Sequence, residues 1–587
     1  MAFVGPAAVA QASGLQPFMD FKLTVKYGGI ANPPVKAAFR EAGWRVTKGK
    51  RWVVCWGSIF TAAEFAGLHE FQRVNHFPGT WELGRKDNLY RNVAALKRTK
   101  GGGDVLSIVP RFFILPRDFD EFKADLDRHP GRLYIQKPVN SSRGRGVRVV
   151  VNPHEVPRDA KDILLQHYID DPYTINGYKF DMRVYVAATC MDPLRVYIYC
   201  DGLARFATEA YSGEKADLKK RCMHLTNYTV NKKSTKLAQN QAAYGVATAA
   251  AEDAAGKDHA GGQAPTPPKG TKPASHLPYP PSPPPPFTSK WSLKELQAHI
   301  EAERGGPAWQ SVWSQVHDIV VGAMLAAEPR LNTEVKMKVP HRNICFEVWG
   351  FDIMLDSSLR AWLIEVNTCP ALNSDSPLDK HLKTSMVADL MNLVGPVPYD
   401  YDAYEMEGIA RRQARLTGLA QQQPEGGASS ARAKNQTAGG NAADTAPAPL
   451  PQKDGRVAGA GAGAVGKGGA SSGGQGVGLC GPAQIPKTLQ EAQEVVFHGL
   501  GPEQLPDIIV EAEAELARCR GWERAFPCLS APTKYLDLFH TPRASNIMLC
   551  NYYAQKGASA AERSRMLRAP SARGRPCQGN WRPGGSG

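Results

Sequence analysis

Gly350–Asn367 reads GFDIMLDSSLRAWLIEVN, two apolar runs flanking a turn-like Ser357-Ser358-Leu359-Arg360, and each run carries a carboxylate. Ionised side chains are rarely buried without a partner. With the four residues SSLR as the loop of a hairpin, Asp352 stands opposite Glu365, and period-two alternation puts Asn367 on the same face as Glu365. Two carboxylates directly opposed on a sheet repel, and burial raises that cost, so a positive partner is required. A hard cation fits: an Asp, a Glu and an Asn carbonyl, with positions left open for phosphate and water, suit Mg²⁺. The alternative is that one of the acids pairs with a lysine or arginine, or faces water.

Upstream, the chain supplies cations. Tyr134–Val150, YIQKPVNSSRGRGVRVV, places Lys137 at a strand end before a Ser/Gly-rich loop and a second strand. Gly144 and Gly146 let backbone N–H groups turn towards a phosphate. No helix follows, so this is neither a Walker loop nor a dinucleotide fingerprint, and a plain glycine hairpin is the commoner reading of such a string. Gly177–Val186, GYKFDMRVYV, alternates Lys179, Asp181 and Arg183 on one strand face with Phe180, Met182 and Val184 on the other. GLARFAT isolates Arg205 between apolar neighbours, and MHLTNYTVNKK offers Thr226, Asn227, Tyr228 and Lys232. Each has a bland explanation. Together they describe a polyphosphate held by lysines and arginines while a metal bridges its oxygens, as phosphoryl transfer requires.

The whole chain sets the bounds. Its 587 residues, 42% hydrophobic, suffice for a sizeable core beside further segments. No run of about 18 apolar residues suggests a membrane span, and the start lacks the basic region of a signal peptide. Eleven cysteines without a CxxC pair read as reduced thiols. A net charge of +15 implies an acidic partner without saying which; with no basic stripe of interleaved aromatics, nucleic acid is not expected. The pattern of strands and helices predicts an α/β (α+β) fold with a helical annex. Trp309, Val312, Trp313, Val316, Ile319, Val320 and Met324 recur at helical spacing and read as core packing. SMVADLMNLVG reads as a helix ending at Gly395, and DIIVEAEAELARCRG as one starting at Asp507 and stopping at Gly521.

The strings VNHFPGTWELGRKDNL, QKPVNSSRGRGV, LLQHYI, KFDMRVYV, GLARFAT, HLTNYTVNKKS, FEVWGFDIMLD and WLIEVNTCPAL, in this order, resemble the tubulin tyrosine ligase-like enzymes, which have the ATP-grasp fold. SSRGRGV, the Lys290-Trp291 pair and VPHRNICFE look most like the glutamate-adding branch, closest to its chain-initiating members. Composition marks a Pro/Ala-rich insertion (238–289), a Gly/Ala-rich linker (419–486) and a basic disordered tail (556–587). With the resemblance, the chain divides into a disordered start (1–20), a catalytic domain (21–400) that holds the insertion, a basic helical extension (401–418), the linker, a helical annex (487–555) and the tail. The resemblance implies ATP and Mg²⁺, free glutamate, an acidic tubulin or other protein tail as acceptor, and a cytoplasmic, cytoskeletal location including cilium, axoneme or basal body. It also implies roles. Lys137 and Lys179 would hold ATP phosphates under the Arg143–Gly146 loop. Gln166, His167, Tyr168 and Ile169 would line the adenine pocket, and Phe180, Asp181, Thr226 and Asn227 would complete the nucleotide site. Arg183 would face the transferred phosphoryl group, and Arg143 would also touch the acceptor. Arg205, Tyr228, Lys232 and Lys383 would meet the amino acid. Asp352, Glu365 and Asn367 would bind magnesium. Two departures stand out: the insertion after Lys236, and Thr229 where the family has serine.

Overall fold

The computed structural model describes residues 23–100, 106–141, 144–231, 234, 289–417, 488–495, 497 and 504–556. The chain divides into two compact units, residues 1–400 with 482–587, and residues 401–481. The second contributes the helix Tyr401–Leu416.

Three sheets build the first unit. One is parallel, in the order β2-β1-β3-β4, from β1 (Thr24–Gly28), β2 (Arg45–Val46), β3 (Val54–Gly57) and β4 (Arg73–Val74). The next is antiparallel, in the order β5-β8-β6-β7, from β5 (Phe112–Leu115), β6 (Tyr134–Pro138), β7 (Arg148–Val150) and β8 (Ile163–His167). The central sheet runs β12-β11-β10-β13-β14, from β10 (Tyr178–Met191), β11 (Leu194–Phe206), β12 (Lys290–Ser292), β13 (Glu347–Leu355) and β14 (Ala361–Asn367). β9 (Thr174–Ile175) pairs with β10, and β15 (Trp522–Phe526) with β11.

The hairpin β13–β14 has the expected cross-strand pair, reached by a different path. Its loop is Asp356–Arg360, one residue longer than SSLR, because the Asp356 carboxylate accepts hydrogen bonds from the backbone N–H of Ser358 and Arg360. That extra residue would put Ile364 opposite Asp352. A bulge absorbs it: Ile353 pairs with Leu363, Asp352 with Glu365 and Gly350 with Asn367.

Register then lines up charge across one face of the sheet. Lys290, Arg205 and Asp181 form one row over β12, β11 and β10. Arg183, Asp352 and Glu365 form the adjacent row over β10, β13 and β14. Further along the same face, Tyr185, Ala187, Tyr197, Leu203 and Val348 are buried in an apolar cluster with residues of the parallel sheet and of the helix Pro377–Val394. The other face, with Phe180, Met182 and Val184, packs on the helix Gly306–Lys338, where the Trp309–Met324 stripe is buried as core except for Trp313, half-buried at its edge. One face is thus half apolar and covered, half charged and turned towards the second sheet.

The helix ends bear on two glycines. Pro377–Val394 stops at Gly395, whose φ of 59° is left-handed. The helix from Asp507 ends at Arg518, short of Gly521; a Cβ on Gly521 would lie 2.4 Å from Tyr199, so that glycine serves close approach and not the stop. The annex is more than helical, since β15 adds a strand to the central sheet. WERAF shows no apolar alternation because Arg524 is buried, donating to the Tyr197 and Tyr553 hydroxyls. Arg195, 1% exposed, meets Glu515 of the annex at 3.0 Å. No helix among the described residues is long and apolar enough to cross a membrane.

Candidate active site

A cavity of about 740 Å³, its open mouth included, lies between the second sheet and the charged half of the central one. Its walls carry Lys137, Gly144, Gln166, His167, Tyr168, Ile169, Lys179, Asp181, Thr226, Asn227, Asp352 and Glu365, all assigned from sequence. Residues scattered over more than two hundred positions therefore meet in one place.

Three lysines supply its positive charge. Lys137 Nζ donates to Gln166 Oε1 at 2.6 Å, and burial lowers its pKa to about 8. Lys179 Nζ donates to the Tyr168 hydroxyl at 2.8 Å; burial, reinforced by the Lys137 charge, lowers its pKa to about 7. Lys86 went unassigned in the sequence. It donates to the Ser141 carbonyl at 3.1 Å and pairs with Glu365 Oε2 at 3.1 Å. A signal was there: Lys86 shares the buried positions of its helix with Leu89, Tyr90 and Val93, at spacings of three, four and seven. Desolvated lysines with depressed pKa values are stabilised by an incoming polyanion. Gly144, at φ 69°, closes the turn beside them; a Cβ there would lie 2.9 Å from Asn227 Oδ1.

The acids have acquired protein partners. Burial alone would raise the Asp352 carboxyl, but the Arg183 and Arg205 guanidiniums, at 2.5 and 2.8 Å, overcome it and hold it well below the ordinary range. Arg205 also grips Asp181, whose carboxyl burial nevertheless pushes up. Asp352 thus pairs with arginines and Glu365 with Lys86, the alternative left open by the sequence. The three oxygen-bearing side chains still converge: Asn367 Nδ2 is 3.4 Å from Asp352 Oδ2 and 3.5 Å from Glu365 Oε1. Turning that amide would present its oxygen, completing a donor set that fits a hard cation. Among the described residues no group of three His, Cys, Asp or Glu forms a metal site, and this trio has only two acids.

Other assigned residues stand elsewhere or, like His167 in the cavity wall, have their polar atoms already bonded. The Phe180 ring lies in the apolar core against Phe206 and Tyr173, because it alternates with Lys179 and Asp181 to the far face. The His167 imidazole bonds Asp125 Oδ2 at 2.7 Å. Arg143 and Lys232 lie outside the described residues. Lys383 donates to the Asn373 carbonyl at 2.6 Å and pairs with Asp379 at 2.7 Å. Lys290 pairs with the same Asp379, lies 4.1 Å from the centre of the Tyr228 ring and is in register with Arg205. Tyr228, Lys383 and Arg205 are therefore joined through Lys290, which the sequence offered only as part of a motif.

A family model described as the tubulin-tyrosine ligase family matches residues 66–252 and 286–402. Tubulin monoglutamylase TTLL4 of Mus musculus is 34% identical over 362 residues, 62% of this chain and 27% of that protein. Tubulin polyglutamylase TTLL5 of Homo sapiens is 36% identical over 333 residues, 57% of this chain and 23% of that protein. Tubulin polyglutamylase TTLL13 of Mus musculus is 32% identical over 376 residues, 63% of this chain and 40% of that protein. The chain thus spans well under half the length of these relatives. It belongs to the tubulin-tyrosine ligase family.

Proposed function

We propose that this member of the tubulin-tyrosine ligase family is an ATP-dependent ligase joining free glutamate to the γ-carboxylate of glutamates in acidic protein tails, tubulin tails foremost. The observation that supports it most is one cavity in which three buried lysines and a glycine turn face Asp352 and Glu365, with Asn367 beside those two acids. Lys137 and Lys179 hold the ATP phosphates, Gln166–Ile169 the adenine, and Thr226 and Asn227 the rest of the nucleotide. Asp352, Glu365 and Asn367 would hold Mg²⁺, which when bound offsets the repulsion between nucleotide and carboxylate. The terminal phosphoryl group passes to the acceptor carboxylate, giving an acylphosphate and ADP, with Arg183 facing the transferred group. The amine of free glutamate then attacks the acyl carbon, an amide bond forms, and phosphate leaves. The Tyr228–Lys290–Lys383 cluster with Arg205 receives the amino acid; Lys232 and Arg143 join by resemblance. A second carboxylate on that amino acid needs its own cation, which favours glutamate over glycine.

The catalytic domain spans residues 21–400 and the annex completes its sheet. The basic surface docks the acidic tail, so binding weakens with salt, and the helix Tyr401–Leu416 contacts the microtubule. On this reading the protein works on the cytoskeleton, cilium included. Purified protein, ATP and tubulin with labelled glutamate, glycine or tyrosine test the reading. Glutamate alone should be incorporated. Incorporation of glycine or tyrosine would reassign the substrate, and microtubule binding without ATP consumption would make the protein a non-catalytic relative.

A further inference from the structure

Lys179 belongs to a hydrogen-bonded chain that runs out of the cavity. Its ammonium donates to the Tyr168 oxygen at 2.8 Å, and that hydroxyl lies 2.8 Å from His224 Nδ1. His224 Nε2 lies 3.0 Å from the Asp217 carbonyl, which can only accept. The Tyr211 hydroxyl is a second neighbour of the Tyr168 oxygen and spends its own proton on the Asp170 carbonyl at 2.8 Å. An ammonium has only donors, so when Lys179 is charged the Tyr168 oxygen accepts from it and sends its own proton to an acceptor, of which Nδ1 is the one at 2.8 Å. Nδ1 accepts only if the ring is neutral with its proton on Nε2, and that proton goes to Asp217. Burial lowers the His224 pKa, in keeping with a neutral ring. Tyr168 and His224 are 7% and 4% exposed, so water does not readily replace either partner.

We infer that His224 is a positioning residue for Lys179: by taking the Tyr168 proton, its Nδ1 keeps the phenol oxygen turned as an acceptor and holds the ammonium where a phosphate is to be met. Without that acceptor the Tyr168 hydroxyl divides its proton between the Tyr211 oxygen and Lys179, and the second orientation opposes the ammonium and favours the amine. His224 lines the cavity beside Leu225 and Thr226, and its ring packs edge-on against Tyr211, 5.8 Å between centres. Those contacts would survive in any residue of similar bulk; the acceptor would not.

The inference rests on the nucleotide reading of the cavity, and its test separates the two. Asn places a carbonyl oxygen near the Nδ1 position, and Ala places nothing there. ATP binding to wild type, His224→Ala and His224→Asn is measured by calorimetry, and the reactivity of Lys179 towards an amine-acylating reagent by peptide mass spectrometry without nucleotide. His224→Ala should weaken ATP about tenfold, the effect of one hydrogen bond to a charged group, raise the KM for ATP more than it lowers kcat, and speed Lys179 acylation. His224→Asn should stay within about threefold of wild type in each. Equal impairment of both variants, or none in either, overturns the inference. If wild type binds no ATP, the nucleotide reading falls, while Lys179 acylation still decides the role of His224.

Discussion

Raising the pH from 7 to 9 should empty the nucleotide site without touching the fold. Burial sets the Lys179 and Lys137 pKa values to about 7 and about 8 in the free protein. If ATP binds only when both are charged, the competent fraction falls from about one half at pH 7 to about one thousandth at pH 9. Apparent affinity then drops by about 10² to 10³, or about 3–4 kcal/mol. Stability moves the other way. In the unfolded chain these lysines titrate near pH 10.4, so between about pH 7 and 10 the unfolded state binds more protons and folding gains stability as pH rises. Titration calorimetry in buffers of different ionisation enthalpy reads both the dissociation constant and the protons taken up. Uptake should rise from about half a proton per ATP at pH 7 to nearly two at pH 9. Affinity constant over this range, with no uptake, would refute the picture of desolvated lysines awaiting phosphate.

Two further outcomes follow from the geometry. Gly144→Ala forces a left-handed residue, at φ 69°, against Asn227, costing about 1–2 kcal/mol locally; the KM for ATP should rise about tenfold while the melting temperature barely moves, and the reverse pattern would remove the turn from the nucleotide site. Glu515→Ala strips Arg195 of its nearest carboxylate inside the core and should destabilise the protein by about 3–5 kcal/mol in denaturant unfolding; a loss under about 1 kcal/mol would show that the annex is dispensable to the sheet.

The alternation of Lys179, Asp181 and Arg183 was legible because a strand has only two faces, and the same rule sends Phe180 to the core. The opposition of Asp352 and Glu365 was legible too, although a longer loop and a bulge cancelled to produce it. What stayed hidden depends on contacts across the chain. The partners of Asp352 come from β10 and β11, and that of Glu365 from a helix some 280 residues earlier. His224 sits inside a quoted motif, yet its role exists only once Tyr168 and Lys179 are folded against it. β15 escaped because its buried arginine breaks the apolar pattern by which strands are read.

The most direct test uses Glu365. Asp352→Ala would leave the buried Arg183 without its carboxylate and Arg205 with Asp181 alone, and so damage the fold, whereas Glu365 is half-buried with Lys86 as its cation. Intact-mass spectrometry of tubulin incubated with ATP, glutamate and either wild type or Glu365→Gln should show glutamate-sized increments on the tails with wild type only, both proteins melting alike. Unmodified tails with wild type, or equal modification by the variant, would contradict the account.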